Sequence, residues 1–245
     1  TTRTSSPFAV TAFAWRCRDA ARCRPRGQAV RIAVVGPTHP FRGGIAHYTA
    51  LLARHLRERH DVLFVSFSRQ YPRLLFPGRT DRDPSASTVR EPAERILAPL
   101  LPWTWWRSAR AIARFAPDLV IVQWWSPFWT PSLASVVALV RRWSPARIVF
   151  VCHNVLPHEG PGRASRALTR LALRRGDAFV VHGDADERTL RTLLPEAVRA
   201  GRPIVRGVLP AHTIATPVDR SAARSALGLP ADASVALFFG FVRPY

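Results

Sequence analysis

Lysine and methionine are absent from this chain of 245 residues, asparagine occurs once, and only three cysteines are present. With no lysine, all 36 basic residues are arginine, and against 16 acidic residues they leave a net charge of +20. Arginine, alanine and proline are abundant along the whole chain. The charge therefore reads as the compositional bias of a GC-rich genome more than as a dedicated nucleic-acid stripe. An arginine-rich surface still attracts phosphates, anionic lipid head groups and nucleic acid alike. Cys17, Cys23 and Cys152 are too few for a disulfide framework at this length. Cys17 and Cys23 lie in an arginine-rich tail without nearby histidine, which argues against zinc. Cys152 ends an apolar run, as a small buried hydrophobe would. The pattern fits a reducing cytoplasm.

No clear apolar signal core opens the chain, which does not begin with Met, so a trimmed start is expected. One uncharged run, Leu119 to Val140, has the 22 residues of a membrane span. Pro127 and Pro131 break it near its middle and Gln123, Ser126, Thr130 and Ser132 interrupt it, so strand, loop and helix is the preferred reading. At 47% hydrophobic residues the chain can bury a substantial core.

The stretch from Val34 to Tyr48 organises the rest. Ile32, Val34 and Val35 suit a strand covered on both faces and ending at Gly36. A loop containing Gly43 and Gly44 follows. From Ile45 the period changes, with Ile45, Tyr48, Leu52 and Leu56 on one helical face. The paired glycines stand where orphan N–H groups and the helix dipole favour a phosphate or another anion. The loop matches neither the dinucleotide fingerprint nor the phosphate loop that ends in Gly-Lys-Ser/Thr. By itself it is equally a plain turn that needs glycine.

Taken in order, residues 1–28 are expected to form a basic, disordered tail. Strands are expected at 62–67, 118–122, 147–152, 178–181 and 203–208. Helices are expected over 92–115 with a break near Pro102, then over 131–143, 165–175 and from Asp184. Residues 68–90 make a long polar loop of the kind that is usually functional. The alternation predicts an α/β fold, a Rossmann-like and mostly parallel sheet with helices on both faces. The domain is expected over 29–212, with a linker and short helix over 213–232 closed by Gly228. A fresh buried strand over 234–240 would then open a second domain, truncated at Tyr245.

Ligands of open α/β sheets bind beyond the carboxyl ends of the strands, which is where Gly43-Gly44, His153-Asn154 and His182-Gly183 fall. A lone histidine in such a place is as often structural as catalytic. Asp184-Ala185-Asp186 follows a strand and could hold a divalent ion under a sugar-nucleotide diphosphate. A capping box of Asp184 with Glu187 explains both acids without metal. Six of the eight tryptophans lie between Trp103 and Trp129. The run Gln123-Trp124-Trp125-Ser126-Pro127-Phe128-Trp129 is expected to expose some of its rings, as a sugar-stacking or lipid-facing surface.

Together, Gly43-Gly44-Ile45-Ala46-His47-Tyr48, the strand ending His153-Asn154, and Leu237-Phe238-Phe239-Gly240-Phe241-Val242-Arg243-Pro244-Tyr245 resemble the retaining glycosyltransferases of family 4. The resemblance covers roughly residues 30–245. It implies the two-domain GT-B architecture, of which this chain is the first domain and the start of the second. It also implies transfer of a sugar from a nucleotide-diphosphate donor to an acceptor, with retention and without metal or other cofactor. Gly43 and Gly44 would then lie against the donor diphosphate, and His153 would reach the reacting centre. Arg243 would assist at the phosphates, although the family places its arginine directly after the glycine, where Phe241 stands. His47, Tyr48, Trp124 and Trp125 are acceptor-side candidates.

The activity expected is that of a hexosyl-type transferase in glycan biosynthesis, acting in the cytoplasm and peripherally at the inner face of the membrane. The acceptor is expected to be lipid-linked or a glycan, and this piece alone is expected to be inactive. The rivals are a non-enzymatic basic module on nucleic acid or an anionic membrane, and a metal-dependent transferase using Asp184 and Asp186. No helix-turn-helix, zinc spacing or aromatic-basic strand motif supports nucleic acid as the partner.

Overall fold

The computed structural model describes residues 29–71, 81–84, 89–157, 160–209 and 218–238. The chain divides at residue 211 into two compact units. The first is built on seven strands: β1 (Arg31–Val35), β2 (Asp61–Phe67), β3 (Glu94–Leu97), β4 (Leu119–Trp124), β5 (Arg147–Cys152), β6 (Ala178–Val181) and β7 (Ile204–Arg206). Its helices are α1 (Gly44–Arg57), α2 (Pro102–Phe115), α3 (Thr130–Trp143), α4 (Arg163–Leu173), α5 (Asp184–Leu193) and α6 (Pro195–Arg199). All neighbouring strands are parallel and the order is β3-β2-β1-β4-β5-β6-β7. The order reverses between β1 and β4, which opens a crevice at their carboxyl ends. The expected Rossmann-like α/β class is therefore borne out.

Period-two alternation explains how one sheet carries two cores. Ile32, Val34 and Phe64 point to the face covered by α1, where Tyr48, Leu52 and Ala53 meet them. Ala33, Val35, Val65, Ile148 and Phe150 point the other way, to Ile112 of α2, Val136 and Val137 of α3, Leu173 of α4 and Leu190 of α5. Uncharged run and span separate cleanly: residues 119–143 form β4, a 3-10 turn over Pro127–Trp129, and α3. Among the described residues no helix is long and apolar enough to cross a membrane.

Three local expectations are corrected. The segment 94–97 is strand rather than helix, because β2 offers it a free edge and Pro102 fixes the start of α2 at its first turn. The capping box at α5 does not form. Gly183 is the cap residue and gives no side-chain bond, Asp184 pairs with Arg206, and Glu187 pairs with Arg191 at 2.8 Å one turn on. The buried strand expected from 234 is not formed over 234–238, where Val235, Leu237 and Phe238 are exposed.

In the second unit, α7 (Arg220–Ala226) is capped by Asp219, whose carboxylate accepts from the N–H of Ser221 and Ala222 at 2.9 and 3.2 Å. Gly228, at φ 64°, closes it. The 1–28 tail with Cys17 and Cys23, and the site candidate Arg243, lie outside the described residues.

Candidate functional site

The carboxyl end of β1 leads through Gly36 into the loop before α1. A side chain at Gly36 would stand 2.5 Å from Cγ of Gln123 and 3.0 Å from Cγ2 of Thr49, so glycine lets β1, β4 and α1 close together. Gly43 caps α1 with φ 119°, a conformation that favours glycine. An added Cβ at Gly43 or Gly44 would meet nothing within 4 Å. Packing therefore gives no reason for Gly44, and the backbone at the helix start is open to approach. No side chain caps α1 and no acid lies in its first turn, so its free N–H groups face a cleft. That cleft, about 190 Å³, is lined by Pro37, Arg42, Gly43, Gly44, Gln70, Asp81 and Trp125 among others.

Residues 81–84, from the long loop, strap the glycine loop. The N–H of Arg42 donates to the Asp81 carbonyl at 2.9 Å, and the N–H of Asp83 donates to the Pro40 carbonyl at 2.8 Å. His47 Nε2 lies 3.3 Å from the Asp83 carboxylate. This candidate therefore fastens the strap through Nε2, while its Nδ1 has no protein partner.

Beside the glycine loop, β4, β5, β6 and α1 bring four side chains together. His153 follows β5, and its Nε2 lies 2.7 Å from the Gln123 carboxamide oxygen at the end of β4. The His153 ring meets Tyr48 edge-on at 4.9 Å and lies 5.3 Å from the ring of His182, which itself meets Tyr48 at 5.6 Å. Burial, with the nearby His182 adding to it, pushes the His153 pKa down to about 3. The imidazole is thus neutral at physiological pH. With the carboxamide oxygen accepting, Nε2 carries the proton and Nδ1 keeps its lone pair. Burial raises the Tyr48 phenol in turn. His182 donates from Nδ1 to the Gly207 carbonyl at 3.0 Å. Among the described residues, four of the eight buried side-chain polar atoms without a protein partner lie here or beside the glycine loop: Gln123 Nε2, His182 Nε2, Thr38 Oγ1 and His47 Nδ1. Such atoms ask for water or a ligand.

The structure thus brings His153 and Tyr48 together beside the loop of Gly43 and Gly44, and sets Trp125 in the cleft. Tyr48 is buried as a wall of the His153 pocket rather than standing as a free ring. Trp124 is corrected outright. It is fully buried, its indole N–H donates to the Val155 carbonyl at 3.2 Å, and it belongs to the core with Trp129. The reason is register: Trp124 is the last residue of β4, paired with Cys152, and points into the sheet's larger core. Of the two acids of the metal reading, Asp184 pairs with Arg206 and Asp186 accepts the N–H of Val155 at 2.9 Å. Gln123 is the residue that sequence reasoning passed over. Its signal was a carboxamide ending an otherwise apolar strand.

Among solved structures, the chain is similar to an alpha-glucosyltransferase in complex with UDP and a 13-mer DNA containing an HMU base, at 13% identity and a TM-score of 0.49, over 75% of this chain and 43% of that one. It is similar to Anabaena HepE in complex with UDP, at 15% identity and a TM-score of 0.47, over 81% and 50%. The catalytic domain of starch synthase IV from Arabidopsis thaliana, bound to ADP and acarbose, gives 15% identity and a TM-score of 0.46, over 84% and 61%. The chain accordingly spans from about two fifths to three fifths of the length of these proteins. No curated protein matches it. The model of Glycosyltransferase Family 4 matches residues 42–205, well over half of the chain and the span that holds Gly43, Gly44 and His153, so the chain belongs to Glycosyltransferase Family 4.

Proposed function

We propose that this chain forms the acceptor-side half of a GT-B enzyme that transfers a hexosyl group from a nucleotide diphosphate with retention of configuration. The observation that carries the reading is the uncapped, acid-free start of α1 at Gly43-Gly44, opening at the same strand ends as the neutral His153. In the transfer, the bond from the anomeric carbon to the diphosphate oxygen breaks, and a new one forms to the acceptor hydroxyl oxygen. The acceptor proton leaves to the departing diphosphate. Negative charge grows on that leaving group, and free N–H groups fixed in advance stabilise it without reorganisation. His153 acts at the sugar as a hydrogen-bonding imidazole, its orientation set by Gln123 and the Tyr48 wall.

Trp125, in the cleft beside the glycine loop, suits stacking on a sugar ring of a glycan or lipid-linked acceptor. No metal or cofactor is called for. The buried free thiol of Cys152 agrees with a reducing, cytoplasmic setting, and the arginine excess with peripheral attachment at the inner face of the membrane.

The test is a transfer assay on the protein carrying both domains, with a panel of nucleotide sugars and the product anomer read by NMR. Donor-dependent transfer with retention, undiminished by a chelator and missing from the 245-residue chain alone, is expected. Inversion at the anomeric carbon, or loss of activity with the chelator, contradicts the reading.

A further inference from the structure

The tryptophans divide into two populations. Trp124 and Trp129 are buried, whereas Trp103 and Trp106 on α2 and Trp143 at the end of α3 are 60%, 44% and 42% exposed. Trp106 and Trp143 meet edge to face at 6.5 Å, so the two helices present one continuous surface. The Arg110 guanidinium sits 4.9 Å above the Trp106 ring. Two shallow hollows of about 330 Å³ flank Trp106, one lined by Arg107, Arg110 and Arg114, the other by Arg110, Arg114 and Trp143. Neither helix contains an acidic residue, and Leu100, just before α2, is exposed as well.

We infer that this face of α2 and α3 docks on the head-group layer of an anionic lipid bilayer. Indole rings favour the boundary between water and acyl chains, and arginines among them pair with lipid phosphates. A helix of 14 residues lies in that boundary rather than crossing it. The charge complement would also suit nucleic acid, but the stacking that single strands require needs open ring faces. Here Arg110 already covers a face of Trp106, and Trp143 meets that ring at right angles, so the pair is not an open stacking platform. The inference stands on exposed side chains away from the glycine loop and does not depend on sugar transfer.

The chain is sedimented with vesicles of phosphatidylcholine alone and of an equal mixture with phosphatidylglycerol. Binding to the mixed vesicles is expected to fall at least about tenfold in the combined Trp103→Ser, Trp106→Ser, Trp143→Ser variant. A similar fall is expected on combining Arg107→Gln, Arg110→Gln and Arg114→Gln. Removing the same charge elsewhere, with Arg188→Gln, Arg191→Gln and Arg199→Gln, should change binding less than about twofold. Circular dichroism checks that each variant is folded, and Trp103→Ser alone, at the most exposed of the three rings, serves if the triple variant is not. Equal binding by face and control variants overturns the inference. So does a single-stranded oligonucleotide whose binding is lost in the face variants while vesicle binding is kept.

Discussion

Trp124→Ala should lower the stability of the chain by about 3–5 kcal/mol, the range for truncating a fully buried tryptophan. For a domain of this size that is a fall in Tm of roughly 6–20 °C. The indole lies in the larger core, on the strand between β1 and β5, and nothing near it can move far enough to fill the space. Its N–H also holds the Val155 carbonyl, while the Val155 N–H is held by Asp186. The two bonds clamp the segment just after His153, so the loss reaches the site as well as the core. Trp125→Ala, one residue on, partly buried at the cleft with its ring against Phe67 and Trp129, should cost less, about 1–2 kcal/mol. Thermal and denaturant unfolding of the two variants check this. Equal losses would put Trp124 back among the cleft residues.

His153→Ala, in the protein carrying both domains, should lower kcat by roughly 100- to 10,000-fold, the span of a positioned proton-transfer or hydrogen-bonding group. The fold should survive, at a cost of about 1–3 kcal/mol for the buried Gln123 carboxamide that loses its partner. Because the His153 pKa is pushed down to about 3, the wild-type kcat should show no limb near pH 6.5 from this residue. An unchanged kcat would remove His153 from the chemistry. A limb near pH 6.5 that disappears in His153→Ala would mean that the ring is charged below it, contrary to the geometry around Gln123 and His182.

The architecture was readable in the chain because its strands are apolar on both faces and its breakers are placed between elements. Gly36 and Pro131 each mark a boundary that the structure keeps. What escaped was whatever depends on a partner distant in sequence. The edge strand 94–97 carries only Ile96 and Leu97 as apolar signals and becomes a strand through its bonds to β2. Asp184 looks like a cap until Arg206 is brought beside it by the pairing of β6 with β7. At the site, the glycines and His153 could be placed by their position at strand ends. Gln123, the Tyr48 wall and the closeness of His182 required the register of β4, β5 and β6. Trp124 misled because the strand runs two positions past the apolar run that ends at Val122.

The most direct test of the donor-site assignment is an amide NMR titration of the chain with pyrophosphate and with UDP, repeated on Gly44→Ala. The account predicts saturable shifts concentrated at Gly43, Gly44, Ile45 and His153. It predicts too that Gly44→Ala weakens both ligands at least about tenfold while its Tm is unchanged, since the added methyl meets no protein atom but stands where the diphosphate approaches. Shifts spread over the arginine surface, with those amides unmoved and Gly44→Ala binding as the wild type does, would contradict it.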